Sequence, residues 1–175
     1  MQKPRVVRHE VTQPFDKPYR YIPLTQGQTA IVDASDFYWL SQWHWFAHWK
    51  DGTKSFYVER LDKFSGVCIS MHRFILGLKK GEICDHKNGN TLDNRRENLR
   101  RCTMLENAQN RKINARNKSG YKGVHLFKNR WKATITFEAK RIHLGYFDSP
   151  REAAEAYNLA ATIFYGQFAN LNKII

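Results

Sequence analysis

The chain has 175 residues, with 29 lysines and arginines against 16 acidic residues, a formal charge of +13 and a pI near 9.8. Hydrophobic residues make up 42% and aromatics 14%, which excludes a disordered tail and calls for packed cores. The basic excess recurs in residues 1–80, 81–118 and 119–175, so a polyanion lying along several segments fits better than one grabbed by a single tail. Three cysteines (Cys68, Cys84 and Cys102) with no CxxC pair argue against structural zinc and a disulfide framework, and a reducing compartment is expected. Neither an apolar leader nor a membrane-length apolar run is visible, so the expectation is a soluble intracellular protein.

In chain order, residues 1–20 are charged and proline-broken and read as a basic arm with little structure of its own. Thr29 to Val32 reads as a strand, and Asp33-Ala-Ser-Asp36 as a helix start before Phe37, Trp39 and Leu40. WHWFAHW at 43–49, the Asp51-Gly52 turn and SFYVERL at 55–61 predict a β-hairpin. VCISM at 67–71 adds a third strand, and a short helix follows from His72 to about Leu78. The tryptophans between Trp39 and Trp49 are read as hairpin packing rather than base-stacking residues.

The most informative stretch is Asp85 to Asn107, DHKNGNTLDNRRENLRRCTMLEN. EICDH predicts a strand that presents Asp85 and His86 at its end. An Asn- and Gly-rich loop turns the chain back into LRRCT, and Thr103 with Glu106 forms a capping box that opens a helix carrying Asn107. Asp85 offers a hard anionic oxygen and Asn107 a neutral one, a set suited to Mg²⁺ or Mn²⁺ that is also bound to a substrate phosphate. His86 has a pKa suited to taking a proton from water at neutral pH. Asn98 is expected to hold the loop and so fix the imidazole. Arg95, Arg96, Arg100 and Arg101 flank the site as phosphate contacts, each with a solvated role left open. His72 and Arg73 are read as structural, in a helix with an apolar face.

This pattern resembles the HNH endonuclease family, in the His-Asn-Asn form of phage and intron-encoded homing enzymes, over roughly residues 21–112. The matching positions are His86, Asn98 in Asn-Leu, and Asn107, with Asp85 as the acidic neighbour of the histidine. The resemblance implies a ββα-metal fold with an N-terminal β-rich support, and hydrolysis of a DNA phosphodiester to 5′-phosphate and 3′-hydroxyl. It also implies Asp85 and Asn107 as metal ligands and the cytoplasm of a bacterial host as the setting.

After a polar stretch at 113–118, read as a linker, residues 119–175 change pattern. RWKATITF alternates Trp131, Ala133, Ile135 and Phe137 with Arg130, Lys132, Thr134 and Thr136, and RIHLGYF repeats the arrangement with Arg141 and His143 outward. A helix is expected from Ser149-Pro150 to before Gly166, closing an α+β unit of three antiparallel strands packed on one helix. SGYKGV, W-K-A-x-I, IHLGYF, the AA-EAY pattern and Ala-Asn-Leu-Asn resemble the plant Apetala/ethylene-response DNA-binding domain. By position that resemblance implies Lys122, His125, Lys132, Thr134, Thr136, Arg141 and His143 on the DNA face, and Arg130 stands beside them. The expected partner is double-stranded DNA, with no membrane and no obligatory protein partner, and the chain is a monomer or a homodimer. The competing reading is a DNA-binding regulator with an inactive nuclease module.

Overall fold

The structure is a computed structural model and describes residues 8–111, 113 and 117–174. The start of the expected arm (1–7) and the middle of the expected linker (114–116) lie outside the described residues. The chain divides into two compact units, Met1–Thr103 and Met104–Ile175.

The first unit begins with a hairpin of β1 (Tyr19–Pro23) and β2 (Thr29–Asp33), in register from Tyr19↔Asp33 to Pro23↔Thr29. β1 was missing from the sequence reading, because YRYIP lacks a clear alternation of polar and apolar residues. The part of the arm that is described is tied to it: Gln13 bonds both the N–H and the carbonyl of Tyr21. Helix α1 (Ala34–Leu40) follows directly. A three-stranded antiparallel sheet then runs in the order β3 (Phe46–Lys50), β4 (Ser55–Leu61), β5 (Cys68–Ser70), with short helix α2 (Met71–Ile75) after it. The last elements are the pair β6 (Ile83–His86) and β7 (Leu99–Cys102), antiparallel with Asp85 opposite Arg100.

One core joins these pieces. Ile22, Leu24, Val32, Leu40, Trp45, Val58, Met71 and Leu99 are buried together, so the β6–β7 hairpin is anchored through Leu99 to the same apolar cluster as the N-terminal strands. Trp45 is sealed in, and its indole N–H donates to the Leu40 carbonyl at 2.8 Å, which meets the need of a buried donor. Trp39 packs on Phe74 with centroids 5.3 Å apart. Trp43 and Trp49, by contrast, remain partly exposed.

The second unit holds α3 (Met104–Gln109) and a sheet ordered β10 (Lys140–Phe147), β9 (Arg130–Phe137), β8 (Val124–Phe127). Helix α4 (Pro150–Tyr165) packs on the sheet with Ala153, Ala154, Tyr157, Ala160, Ala161 and Tyr165 buried. Its start is as the sequence predicts: Ser149 Oγ accepts from the Glu152 N–H at 3.1 Å, and Pro150 occupies the first turn. Small alanines bring the helix backbone close to Val124, Ala133 and Ile135.

Candidate active site

Asp85 and His86 end β6, and both are buried. The loop after them is fastened at both ends by Asn98: its Oδ1 accepts from the Asn88 N–H at 2.9 Å, its Nδ2 donates to the Asp93 carbonyl at 2.7 Å, and its own carbonyl accepts from the Lys87 N–H at 2.9 Å. The middle of the loop is sewn to β2. Ile31 N–H donates to the Leu92 carbonyl at 2.9 Å, and Asn94 N–H to the Ile31 carbonyl at 2.7 Å. Thr91 Oγ1 donates to the Phe56 carbonyl of β4, and the Arg96 N–H donates to Asp33 Oδ2 at 2.7 Å. A segment rich in glycine and asparagine thus acquires one conformation from hydrogen bonds to distant strands.

The imidazole of His86 meets Asn94 rather than Asn98. Its Nε2 lies 3.5 Å from Asn94 Oδ1, and Asn94 is fully buried. The carboxamide orientation follows from its other end, where Nδ2 donates to the Leu92 carbonyl at 3.2 Å. With the oxygen turned to His86, Nε2 carries the ring proton and Nδ1 the lone pair. The flanks of the ring are Tyr57, at 6.5 Å between centroids, and His72, at 5.2 Å, both edge-on. Burial lowers the pKa of His86 below the ordinary histidine value, against the bond to Asn94 and the charges of Asp85 and Asp93, so it is neutral at pH 7. Burial, joined by the charges of His86, Lys50 and Arg73, takes His72 down to about 3.

The flanking arginines are committed to acids in their own unit. Arg95 binds Asp93 through Nε and Nη2 at 2.9 and 2.8 Å, and Arg96 grips Asp36 at 2.8 and 3.0 Å. Arg100, directly opposite Asp85 in the strand pair, reaches Asp85 Oδ2 with Nε at 2.9 Å and Nη2 at 2.5 Å. Arg101 binds Glu82 at 2.8 Å. The expectation that these side chains face phosphate is corrected for Arg100, whose side chain is buried on its carboxylate, and Arg95 and Arg96 also spend donors on the fold. Charge in the sequence could not show this, since the acids that bind them stand as far as 60 residues away. Asn107 lies on α3, exposed, in the second unit.

On the second unit, strand pairing arranges the face turned from α4 in rows: Phe127 beside Arg130, then His125, Lys132 and Tyr146, then Thr134 beside His143, then Thr136 beside Arg141. His125, Arg130, Thr136, Arg141 and His143 are exposed there, and Lys132 is half-buried. Two expectations are corrected. Lys122 turns inward, its Nζ donating to the carbonyls of Gln109 and Asn170 at 3.1 and 3.2 Å, and burial lowers it to about 8. Thr134 is only 9% exposed, a short side chain on the central strand.

The structure adds Tyr146 and Phe127 to that face. A bulge between His143 and Gly145 breaks the alternation, so Tyr146 points the same way as His143, with ring centroids 4.6 Å apart and Phe127 5.6 Å beyond. The lone glycine inside RIHLGYF was the available signal.

Comparison with known proteins bears on the Asp85–Asn98 hairpin. The sequence model described as HNH endonuclease matches residues 73–109, which hold Asp85, His86, Asn98 and Asn107. A protein of Escherichia phage T7, Protein 3.8, is 35% identical over 94 residues, covering 53% of this chain and 77% of its own length. Residues 73–109 form an HNH endonuclease domain. An uncharacterized HNH endonuclease of Acanthamoeba polyphaga mimivirus is 32% identical over 112 residues, covering 61% of this chain. The chain spans 58% of that viral relative. No solved structure matches.

HNH nucleases generally use a divalent metal ion, and the donors can be tested against that need. Asp85 offers a hard anionic oxygen, and a single carboxylate suits a cation that takes its other oxygens from water and phosphate. Among the described residues no group of three His, Cys, Asp or Glu side chains is placed to hold a metal, which excludes a closed all-protein cage there. The Asp85 carboxylate suits a loosely held hard cation, which would have to displace Arg100 from it or share it with Arg100. Among the described residues no helix is long and apolar enough to cross a membrane.

Proposed function

We propose that this chain is a metal-dependent DNA endonuclease of the homing type, with His86 as its general base. The observation that carries the reading is the place of His86: a buried imidazole whose Nε2 lies 3.5 Å from Asn94 Oδ1, beside Asp85, within the segment that matches the HNH endonuclease model. His86 Nδ1 takes a proton from the water that attacks phosphorus, and the 3′ oxygen leaves. A bound Mg²⁺ or Mn²⁺ would offset the charge that grows on the phosphate, with Asp85 as one ligand and Asn107 named by the motif as the second. Asn98 and the bonds from Ile31 keep the loop rigid, so the imidazole does not have to be ordered when substrate arrives.

The sheet of the second unit, in the manner of an Apetala/ethylene-response domain, would lie in the major groove and select the site through His125, Lys132, Thr136, Arg141 and His143. A single nuclease motif per chain suits a nick by a monomer, and a homodimer would cut both strands. The cytoplasm of a bacterial host suits a phage-like element.

One observation favours a second reading. The Arg100 guanidinium on Asp85 Oδ2 neutralises the carboxylate that the metal needs, as a DNA-binding regulator with an inactive nuclease site would show. Plasmid nicking with and without Mg²⁺, by the unmodified chain and by His86→Ala, separates the two. The endonuclease reading expects metal-dependent nicking that falls by about 10²–10⁴ in the variant while DNA affinity stays within about twofold. Absence of cleavage by either protein on DNA that both bind supports the regulator.

A further inference from the structure

Arg60 stands on β4, the central strand of the first unit's three-stranded sheet, and is 6% exposed although it carries a full charge. Its guanidinium lies 4.0 Å over the ring of Trp43 and 4.8 Å from that of Phe74, with Trp45 at 5.8 Å. Among the described residues no carboxylate is paired with it, and its Nε is buried with no hydrogen-bond partner. The contrast with Arg95, Arg96, Arg100 and Arg101 is direct, because each of those has an acid. The neighbour of Arg60 on the strand, Glu59, is taken by His48, Lys50 and Ser70, and Asp62, which feels the charge of Arg60, is engaged by Ser65, whose Oγ and N–H donate to it at 2.5 and 3.1 Å.

An aromatic ring stabilises a guanidinium through its face, yet the donors all point outward in the guanidinium plane. Stacking therefore fixes the plane of Arg60 and leaves its edge in need of an acceptor. An acceptor that fits must be anionic, to offset a desolvated charge, and forked, to match the guanidinium. Trp43, the wall closest to the guanidinium, is 42% exposed and so lies at the surface of the unit. A chain of net charge +13 in a nuclease family meets such an acceptor on its substrate.

We propose that Arg60, held against the rings of Trp43 and Phe74, is a binding site for a backbone phosphate of the DNA. It is a preformed anchor whose guanidinium is oriented before the DNA arrives. The inference rests on the reading of this chain as a DNA endonuclease and adds a contact outside the Asp85–Asn107 motif.

The test is the affinity of the full chain for a labelled duplex, without metal so that no cleavage occurs, over a series of salt concentrations. One phosphate contact contributes about 0.9 to the slope of log K against log salt. Arg60→Met keeps the apolar stem, and is expected to bind severalfold more weakly at low salt with a slope smaller by about 0.9. Arg60→Lys, which keeps the charge, is expected to keep the slope. A folded Arg60→Met chain with the full slope overturns the site and leaves the nuclease reading standing, whereas failure of the unmodified chain to bind DNA overturns both. Where Arg60→Met does not fold, the Arg60 Nε–H resonance of the unmodified chain decides, assigned by its absence in Arg60→Lys. A shift on adding the duplex supports the contact, and an unmoved resonance overturns it.

Discussion

The imidazole of His86 faces the carboxamide of Asn94, with Nε2 3.5 Å from Oδ1. The carboxamide is oriented by its bond to the Leu92 carbonyl, so only its oxygen can meet the imidazole, and the ring proton is held on Nε2. Asn94→Leu, similar in volume but without the oxygen, frees the tautomer. Cleavage is expected to fall by about 10- to 100-fold, as for the loss of other groups that orient a functional histidine. The ¹⁵N spectrum of His86 should show the proton no longer confined to Nε2, and a spectrum unchanged from the unmodified chain would refute the role. Since Asn94 also satisfies backbone groups, a stability loss of about 1–3 kcal/mol should accompany the change. Asn94→Asp keeps an acceptor and should retain more activity than Asn94→Leu.

At the scale of elements, the second unit depends on one close approach. Gly123 has φ +72°, and a Cβ there would meet the Tyr157 ring at 2.2 Å and the Thr134 carbonyl at 2.5 Å. Both belong to the joint between sheet and helix, since the Thr134 N–H donates to the Gly123 carbonyl at 2.8 Å and Tyr157 is buried on α4. Gly123→Ala is expected to destabilise the unit by more than about 2 kcal/mol, through the clash and the left-handed backbone together. Urea unfolding of the second unit measures this. Ser149→Ala, which removes only the cap of α4, should cost about 1 kcal/mol. An equal loss in the two would show that the joint can relax.

For the whole molecule, acid should weaken the first unit before the carboxylates titrate. His72 has an ordinary pKa of 6.5 when unfolded and about 3 when folded, with its Nδ1 buried and unpartnered among the described residues. Because the folded state binds the proton less readily, this stability is fully present above pH 6.5 and declines as pH falls from 6.5 toward 3. Between pH 7.5 and pH 5.0 the loss from His72 alone is about 2 kcal/mol, and His86 acts in the same direction. Glu59, which burial would raise but which bonds from Lys50 and His48 hold below 4.5, keeps its contribution down to lower pH. Urea midpoints at the two pH values test this, and a His72→Leu variant should lose most of the dependence.

Much of this molecule was legible in one dimension. Both hairpins of aromatic and alternating residues, the capped helix α4, and the Asp-His and Asn-Leu pairs follow from local rules, because strand alternation, helix caps and turn residues act over a few positions. Residue types also determined the chemistry on offer, a carboxylate beside an imidazole on a basic chain. Tertiary structure alone decided which partner each polar group has. Asn98 holds the loop backbone, as its place in the sequence suggested, while Asn94 comes to face the imidazole because the loop is also folded by bonds to Ile31 of β2, more than 60 residues earlier. Arg96 and Arg100 turn to Asp36 and Asp85 while Arg60 is left with aromatic walls, and Tyr146 joins the basic face through a bulge. Partner choice is a long-range property: a charge or an amide takes the complementary group that folding brings nearest, and sequence separation carries no record of that distance.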